Sequence, residues 1–276
     1  MEMKKEISGT GYAFYFLSRR KQAAYRDFLS GILRHEPSIG IFGLSAEEVN
    51  QVLKAVLTDV PGCFWFEGKW ELYEAPGAGH QASGSGIEPE QPGNPERASG
   101  FVRPLYTFSP TDSRAIRERI GEVCAEIHSA VKDRDKEIEQ VRYIFDWLLD
   151  HVSYGVSDGR GQTICDALVN RAAVCKGTSK ALQYILLRMN IFSTLKEGTL
   201  DGLHRHVWNV VRTDGKYYNT DVSMGYDCFS YLFDDSRQND RYRCFSVSDA
   251  RLSKTHRTFQ MPWSSLDCLS DHPGGS

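Results

Sequence analysis

Between two runs rich in branched and aromatic residues, within "HRHVWNVVRTDGKYYNTDVS" (204–223), stands the dipeptide Asp214-Gly215. Such a pair is a strong signal for a two-residue hairpin turn, whose central positions need the positive φ that Asp and Gly tolerate. It constrains the fold more than any other short stretch, because a turn of known length sets the register of everything that pairs across it. With Thr213 opposite Lys216, the register continues to Trp208 opposite Asp221 and His206 opposite Ser223. A four-residue loop closing at Arg212 and Tyr217 keeps the same register. Side chains alternate along strands, so His206, Trp208, Asp221 and Ser223 share one face. His206 and Asp221 are then diagonal neighbours, about 7–8 Å apart at the backbone and within reach of an imidazole–carboxylate hydrogen bond. A slip of one residue would separate them. A carboxylate on a core-facing strand is costly unless paired, so His206 is a natural partner for Asp221, in a structural pair or in a catalytic one.

The candidate for a third member lies upstream, in "RAAVCKGTSKALQYILLRMN" (171–190), where an apolar run gives way to a helical pattern at Cys175. Ala181, Leu182, Ile185, Leu186 and Met189 recur at helical spacing and provide a face to bury. A thiol at a helix N-terminus faces unpaired N–H groups and the positive end of the dipole, which favour the thiolate. Lys176 adds a positive charge beside it, and Gly177 allows another backbone to approach. Taken alone, Cys175 fits better the small buried hydrophobe that cysteine often is. A nucleophilic thiol needs an imidazole to carry its proton and a group to orient that imidazole. The order Cys175, His206, Asp221, each on a defined element, meets that requirement.

These residues carry a resemblance. "QTICDALVNRAAVCKGTSKALQYILLRMNI", "HVWNVV" and "DGKYYNTDVS" are similar in order and spacing to the transglutaminase-like family, a branch of the papain-like cysteine enzymes, over about residues 136–252. The stretch "LSAEEVNQVLKAVLTDVPGCFWFEGKWELY" also resembles, more loosely, the N-terminal region that accompanies this domain in many bacterial members. The resemblance implies Cys175 as nucleophile, His206 as general base and acid, and Asp221 as orienter. Two stretches depart from the family pattern. Lys176, Gly177 and Thr178 stand where Gln, Arg or Glu followed by Gly-Tyr is common, and Ser223, Met224 and Gly225 where Thr-Trp-Asp often follows the Asp. These departures bear on the substrate pocket, and Lys176 and Thr178 are candidates to shape it. For the oxyanion, the Cys175 backbone N–H is one candidate donor. Gln162 is another by analogy with papain-like enzymes, or else an exposed structural amide, and Trp208 either walls the site or belongs to the core.

The remainder of the chain frames this domain. Helical spacing is expected over 21–33 and from Ser45, where Ser45 and Glu48 have capping-box spacing. Strands are expected at 38–43, 63–74 and 101–109. Residues 75–100, "APGAGHQASGSGIEPEQPGNPERASG", hold one bulky aliphatic, Ile87, and read as a flexible Gly/Pro/Ser-rich insertion in a hairpin. Two helical stripes follow, Ile116 to Val131 and Ile138 to Val152. The stretch "YLFDDSRQNDRYRCFSVSD" suggests further strands and loops. The expected organisation is a small N-terminal α+β region over 1–108, a transglutaminase-like α+β domain over 109–270, and a frayed tail over 271–276.

Function classes narrow accordingly. A formal charge of -3 among 276 residues offers no basic field for nucleic acid or an anionic membrane. The apolar run from Tyr12 to Leu17 is too short for a signal core or a span, which suggests a cytoplasmic protein. Seven cysteines without paired spacing suit free thiols, and the absence of Cys-x2-Cys or His-x3-His spacing argues against a zinc site. No cofactor is expected. The expected partner is a peptide or protein substrate, with oligomeric state open. The expected activity is thiol-dependent acyl transfer at amide bonds, by a peptidase, an amidase or a transglutaminase-type enzyme. The alternative is a binding module that retains the fold without chemistry.

Overall fold

A computed structural model describes residues 11–74, 82–84, 99–156, 160–233 and 240–275. Of the insertion expected at 75–100, all but 82–84 and 99–100 lies outside the described residues. The chain divides into two compact units, Met1–Arg114 and Ala115–Ser276.

The N-terminal unit sets two helices, α1 (Arg19–Leu33) and α2 (Ala46–Asp59), beside strands β1 (Ile39–Phe42), β2 (Phe66–Glu74), β3 (Ala82–Gly84) and β4 (Ser99–Tyr106). The sheet order is β1-β4-β2-β3. The capping box at Ser45 forms: the Glu48 N–H donates to Ser45 Oγ at 3.2 Å and the Ser45 N–H to Glu48 Oε2 at 3.1 Å. Strand β2 begins at Phe66 rather than Cys63, because the Cys63 and Phe66 N–H groups close turns onto the Val60 and Cys63 carbonyls. Val52, Val56, Phe28, Ile32, Trp65 and Phe66 are among its buried side chains.

In the C-terminal unit, α3 (Pro110–Val131), in which the division between units falls, is followed by α4 (Glu137–His151). Ile138, Val141, Ile144, Phe145 and Leu148 bury one stripe of α4. Two-residue strands β5 (Ser153–Tyr154) and β6 (Ala172–Ala173) pair in parallel, with the short α5 (Ile164–Leu168) between them. Helix α6 (Cys175–Arg188) then leads into a four-stranded antiparallel sheet of β7 (Ser193–Leu200), β8 (His204–Thr213), β9 (Lys216–Thr220) and β10 (His256–Thr258). The sheet order is β10-β7-β8-β9. A short helix, α7 (Asp249–Leu252), precedes β10. The mixed helix-and-sheet architecture is the α+β class expected, with the cysteine at a helix N-terminus beside an antiparallel sheet.

The β8–β9 hairpin turns at Asp214 (φ 52°) and Gly215 (φ 77°), and Thr213 pairs with Lys216 as the turn demands. The ladder ends at Asn209–Thr220, one residue short of the expected Trp208–Asp221 pair and three short of His206–Ser223. There the chain leaves the sheet: the Asp221 N–H donates to the Cys244 carbonyl at 2.9 Å, and Ser223–Gly225 winds into a 3-10 turn. Two further expectations need correction. Among the described residues of 231–249 there is no strand, only an isolated bridge between Val247 and Asn219, because Arg243 and Phe245 close local turns onto the Asp240 and Tyr242 carbonyls. The tail is not frayed over 271–275: the His272 N–H donates to the Ser246 carbonyl at 2.9 Å, and its buried ring meets Asp214 Oδ2 at 3.1 Å.

Helix α6 is held to the sheet by polar staples. Ser179 Oγ donates to the Val207 carbonyl at 3.0 Å, and Asn209 Nδ2 donates to the Ser179 carbonyl at 3.0 Å. On its other side Gly177 faces the Gly161 carbonyl so closely that any Cβ there would collide with backbone, and would stand 3.0 Å from Ala173 Cβ. Gly177→Ala should therefore destabilise the unit by about 1–3 kcal/mol through overpacking against rigid backbone. Thermal unfolding measures this, and a wild-type midpoint would contradict the close approach.

Candidate active site

Cys175 is the first residue of α6, with Val174 as an extended N-cap that offers no side-chain acceptor to the first turn. Strand β8 brings His206 to it, and the segment just after β9 brings Asp221. His206 Nε2 donates to Asp221 Oδ2 at 2.6 Å, with both side chains almost wholly buried. The same imidazole hydrogen-bonds the Cys175 side chain, and since Nε2 is committed to Asp221 this falls to Nδ1. Cys175 itself is partly exposed, whereas the Asp221 end of this chain of contacts is closed to water. Sulfur, imidazole and carboxylate, named from the sequence, thus stand in contact.

The electrostatics follow from burial and charge. Burial alone would push the His206 imidazole down, but the Asp221 carboxylate, by charge and hydrogen bond, and the bond to Cys175 outweigh it and hold the ring up at about 10. Burial would raise the Asp221 carboxyl, yet the His206 charge and the hydrogen bonds from His206 and His256 keep it well below the usual carboxylate range.

The other pocket candidates fall differently. Thr178 is fully buried, and its hydroxyl donates back to the Cys175 carbonyl at 3.0 Å, as helical threonines do. Trp208 is also fully buried; its indole N–H donates to Asn219 Oδ1 at 3.1 Å and its ring lies beside His206 at 6.3 Å. Neither offers surface to a substrate: α6 turns Thr178 inward, away from the pocket it was a candidate to shape, and of the two alternatives for Trp208 the burial matches the core. Lys176 is partly exposed in the first turn of α6. Gln162 is partly exposed and follows Gly161, whose carbonyl accepts the Val174 N–H at 3.0 Å one residue before the cysteine.

Two residues of the site were not singled out from the sequence. His256 Nε2 donates to the same Asp221 Oδ2 at 3.0 Å. Tyr154, largely buried, receives a hydrogen bond from the Cys175 backbone N–H; burial, followed by the charges of Cys175 and Asp221, raises its phenol. With Phe229 at 4.9 Å and Tyr226 at 5.2 Å from its ring, Tyr154 forms an aromatic wall. No motif spacing marks either residue; the β10–β7 pairing and the β5–β6 pairing bring them in.

His206, Asp221 and His256 have donor atoms within 4.8 Å of one another, which prompts the question of a metal. Ligand atoms on a tetrahedral zinc, with bonds of about 2.0–2.2 Å, stand about 3.3–3.5 Å apart. The 2.6 and 3.0 Å separations to Asp221 Oδ2 are those of hydrogen bonds with a proton between the atoms. The cluster reads as a proton network rather than a ligand set.

No family model matches the chain, and no curated protein matches it. Solved structures similar to it include a TGase, at 12% identity and a TM-score of 0.37, covering 46% of this chain and 41% of that one. A protein of Cytophaga hutchinsonii, provisionally described as a cysteine protease, is similar at 14% identity and a TM-score of 0.34, covering 46% and 52%. A protein of Parabacteroides distasonis, provisionally described as a protease, is similar at 16% identity and a TM-score of 0.30, covering 57% and 42%. The chain spans about half or less of the length of these proteins. No described helix is long and apolar enough to cross a membrane.

The raised imidazole has a consequence for stability. Its folded value lies above the ordinary value of about 6.5, so its contribution is complete below about pH 6.5 and is lost as pH rises towards 10. Asp221 acts in the opposite sense, with its contribution present above about pH 4 and lost as pH falls through the depressed folded value. Thermal unfolding from pH 5 to 10 should show stability declining on the alkaline side, and Asp221→Asn should flatten that decline. An unchanged alkaline slope in the variant would rule out the charge pairing.

Proposed function

We propose that the chain is a thiol-dependent acyl-transfer enzyme acting on amide bonds of peptides or proteins. The observation that carries this reading is the unbroken contact from the partly exposed Cys175 through His206 to the fully buried Asp221. A structural histidine–aspartate pair has no need of a partly exposed thiol at a helix N-terminus on its free side.

The chemistry follows from the positions. With its proton held on the imidazole, the sulfur attacks the amide carbonyl carbon; a C–S bond forms and the carbonyl π electrons move to oxygen. The tetrahedral intermediate collapses, the C–N bond breaks, and His206 Nδ1–H passes its proton to the departing amine, leaving a thioester. Water or a second amine then attacks the thioester carbon while Nδ1 takes up its proton, releasing an acid or a new amide and restoring the thiolate–imidazolium pair. Asp221 stays ionised throughout and keeps the Nε2–H of the imidazole directed away from the sulfur.

The oxyanion needs donors directed at it. The Cys175 backbone N–H is one, and the Tyr154 oxygen that now accepts from it marks the place a substrate carbonyl would take. Gln162 is the side-chain amide available nearby as a second donor, and Lys176 is available to an anionic or carbonyl group of the substrate. The Tyr154, Tyr226 and Phe229 rings give the approach an apolar side.

Alkylation with iodoacetamide at about pH 6, read by mass spectrometry of each thiol, tests the core of this reading. Cys175 should react ahead of the exposed Cys228 and the five buried cysteines. His206→Asn should slow Cys175 at least tenfold and leave Cys228 unchanged. Uniform labelling, or a Cys175 rate indifferent to His206, would sink the proposal. A peptide-library assay with and without added primary amine then separates hydrolysis from amine transfer, and Cys175→Ala should abolish both.

A further inference from the structure

We propose that His256 is a positioning residue of the site, holding the Asp221 carboxylate aimed at His206 while the charge on His206 comes and goes. The inference rests on the acyl-transfer reading above and extends it to a fourth side chain.

Asp221 Oδ2 is a shared acceptor: His206 Nε2 lies at 2.6 Å and His256 Nε2 at 3.0 Å, while Oδ1 accepts the Ser223 N–H at 2.9 Å. His256 is buried and has a partner on each nitrogen, because its Nδ1 meets Thr255 Oγ1 at 2.8 Å. A carboxylate cannot donate, so Nε2 of His256 bears the proton towards Asp221, while the Thr255 hydroxyl, which also reaches the Leu252 carbonyl at 3.4 Å, holds Nδ1. The ring is further fixed edge-on to Trp208 at 5.0 Å and to His206 at 5.4 Å. Gly198 of β7 leaves room for this packing, since a Cβ there would stand 2.9 Å from Trp208 Cη2. The ionisable groups around the carboxylate are His206 from β8, His256 from β10, Tyr154 from β5 and, beyond His206, Cys175 of α6.

The need for a second donor arises within the reaction. When His206 gives its proton to the leaving amine, Asp221 loses its cationic partner while remaining buried. A carboxylate left with too few donors takes up a proton. A protonated Asp221 would donate to His206 Nε2, and the neutral imidazole would then carry its proton on Nδ1, facing the sulfur. That tautomer cannot accept a proton from water or amine in the second half of the cycle. The His256 Nε2–H bond does not depend on the charge of His206, so it preserves the productive tautomer through this step.

His256→Phe removes the donor and keeps a ring, whereas His256→Gln can present an amide N–H to the carboxylate. Cys175 alkylation measured against pH, with circular dichroism and thermal midpoint as controls, distinguishes positioning from mere packing. Loss of a bond to the charged carboxylate raises its pKa, so His256→Phe should move the acid limb of the profile upward by about one pH unit. Its rate near neutrality should fall about tenfold, and His256→Gln should restore most of both. Thr255→Val, nearly isosteric, should move the limb in the same direction by less and decides the matter if His256→Phe does not fold. Profiles that superimpose on wild type in the folded variants overturn the inference. If Cys175 in the wild type is no faster than Cys228 and is indifferent to His206→Asn, the acyl-transfer reading itself fails; fast, His206-dependent labelling that ignores His256 and Thr255 refutes only the role of His256.

Discussion

The carboxylate of Asp221 has no exposure to water, and much of the C-terminal unit is arranged around satisfying it. An unpaired buried carboxylate is among the costliest groups a fold can contain. Here three donors meet it from three directions: His206 from β8, His256 from β10 and the Ser223 backbone from the turn that follows. Strand β9 ends one residue earlier, and the Asp221 N–H, off the ladder, is taken by the Cys244 carbonyl. Removing the carboxylate would leave two buried imidazoles facing each other without an acceptor.

The N-terminal unit holds a buried carboxylate too, and the contrast is instructive. Asp59 accepts the Ala13 and Phe14 N–H groups at 2.8 and 3.0 Å and the Tyr25 hydroxyl at 3.1 Å. Burial outweighs these bonds and pushes its carboxyl up to about 6. Both aspartates have three donors, but Asp59 has no cation beside it among the described residues, whereas Asp221 faces the His206 imidazole. One serves to tie a chain segment to a helix; the other holds a proton in place on its partner. Helix α6 completes that arrangement, because the Ser179 and Asn209 bonds to β8 and the close approach of Gly161 to Gly177 leave Cys175 little freedom relative to His206.

A good part of this was legible in the chain. The Asp214-Gly215 turn set a register that the structure keeps as far as Asn209–Thr220, and the periodicity after Cys175 marked the helix it begins. His206 and Asp221 meet as strand alternation predicts, but Asp221 lies beyond the end of the ladder. Thr178, a candidate to shape the pocket, is buried instead, and Trp208, open between wall and core, is buried too, because a sequence motif names positions near a nucleophile without saying which point at solvent. Strand β7, between β10 and β8, carries no strand signal in "STLKEGTL", which lacks a clean alternation, although most of its residues are buried.

What the sequence by itself determined is local: a thiol at the start of an amphipathic helix, and an imidazole and a carboxylate on one side of a tight hairpin. Those outcomes depend on turn chemistry and periodicity, which act over a few residues. The tertiary structure alone decided that His256 shares Asp221, that Tyr154 occupies the Cys175 N–H, and that Trp208 lies in the core. His256 is 35 residues from Asp221, and its approach depends on β10 pairing with β7 rather than on any spacing in the chain. Long-range pairing of this kind is chosen by the packing of the whole unit, and no short stretch of sequence carries it.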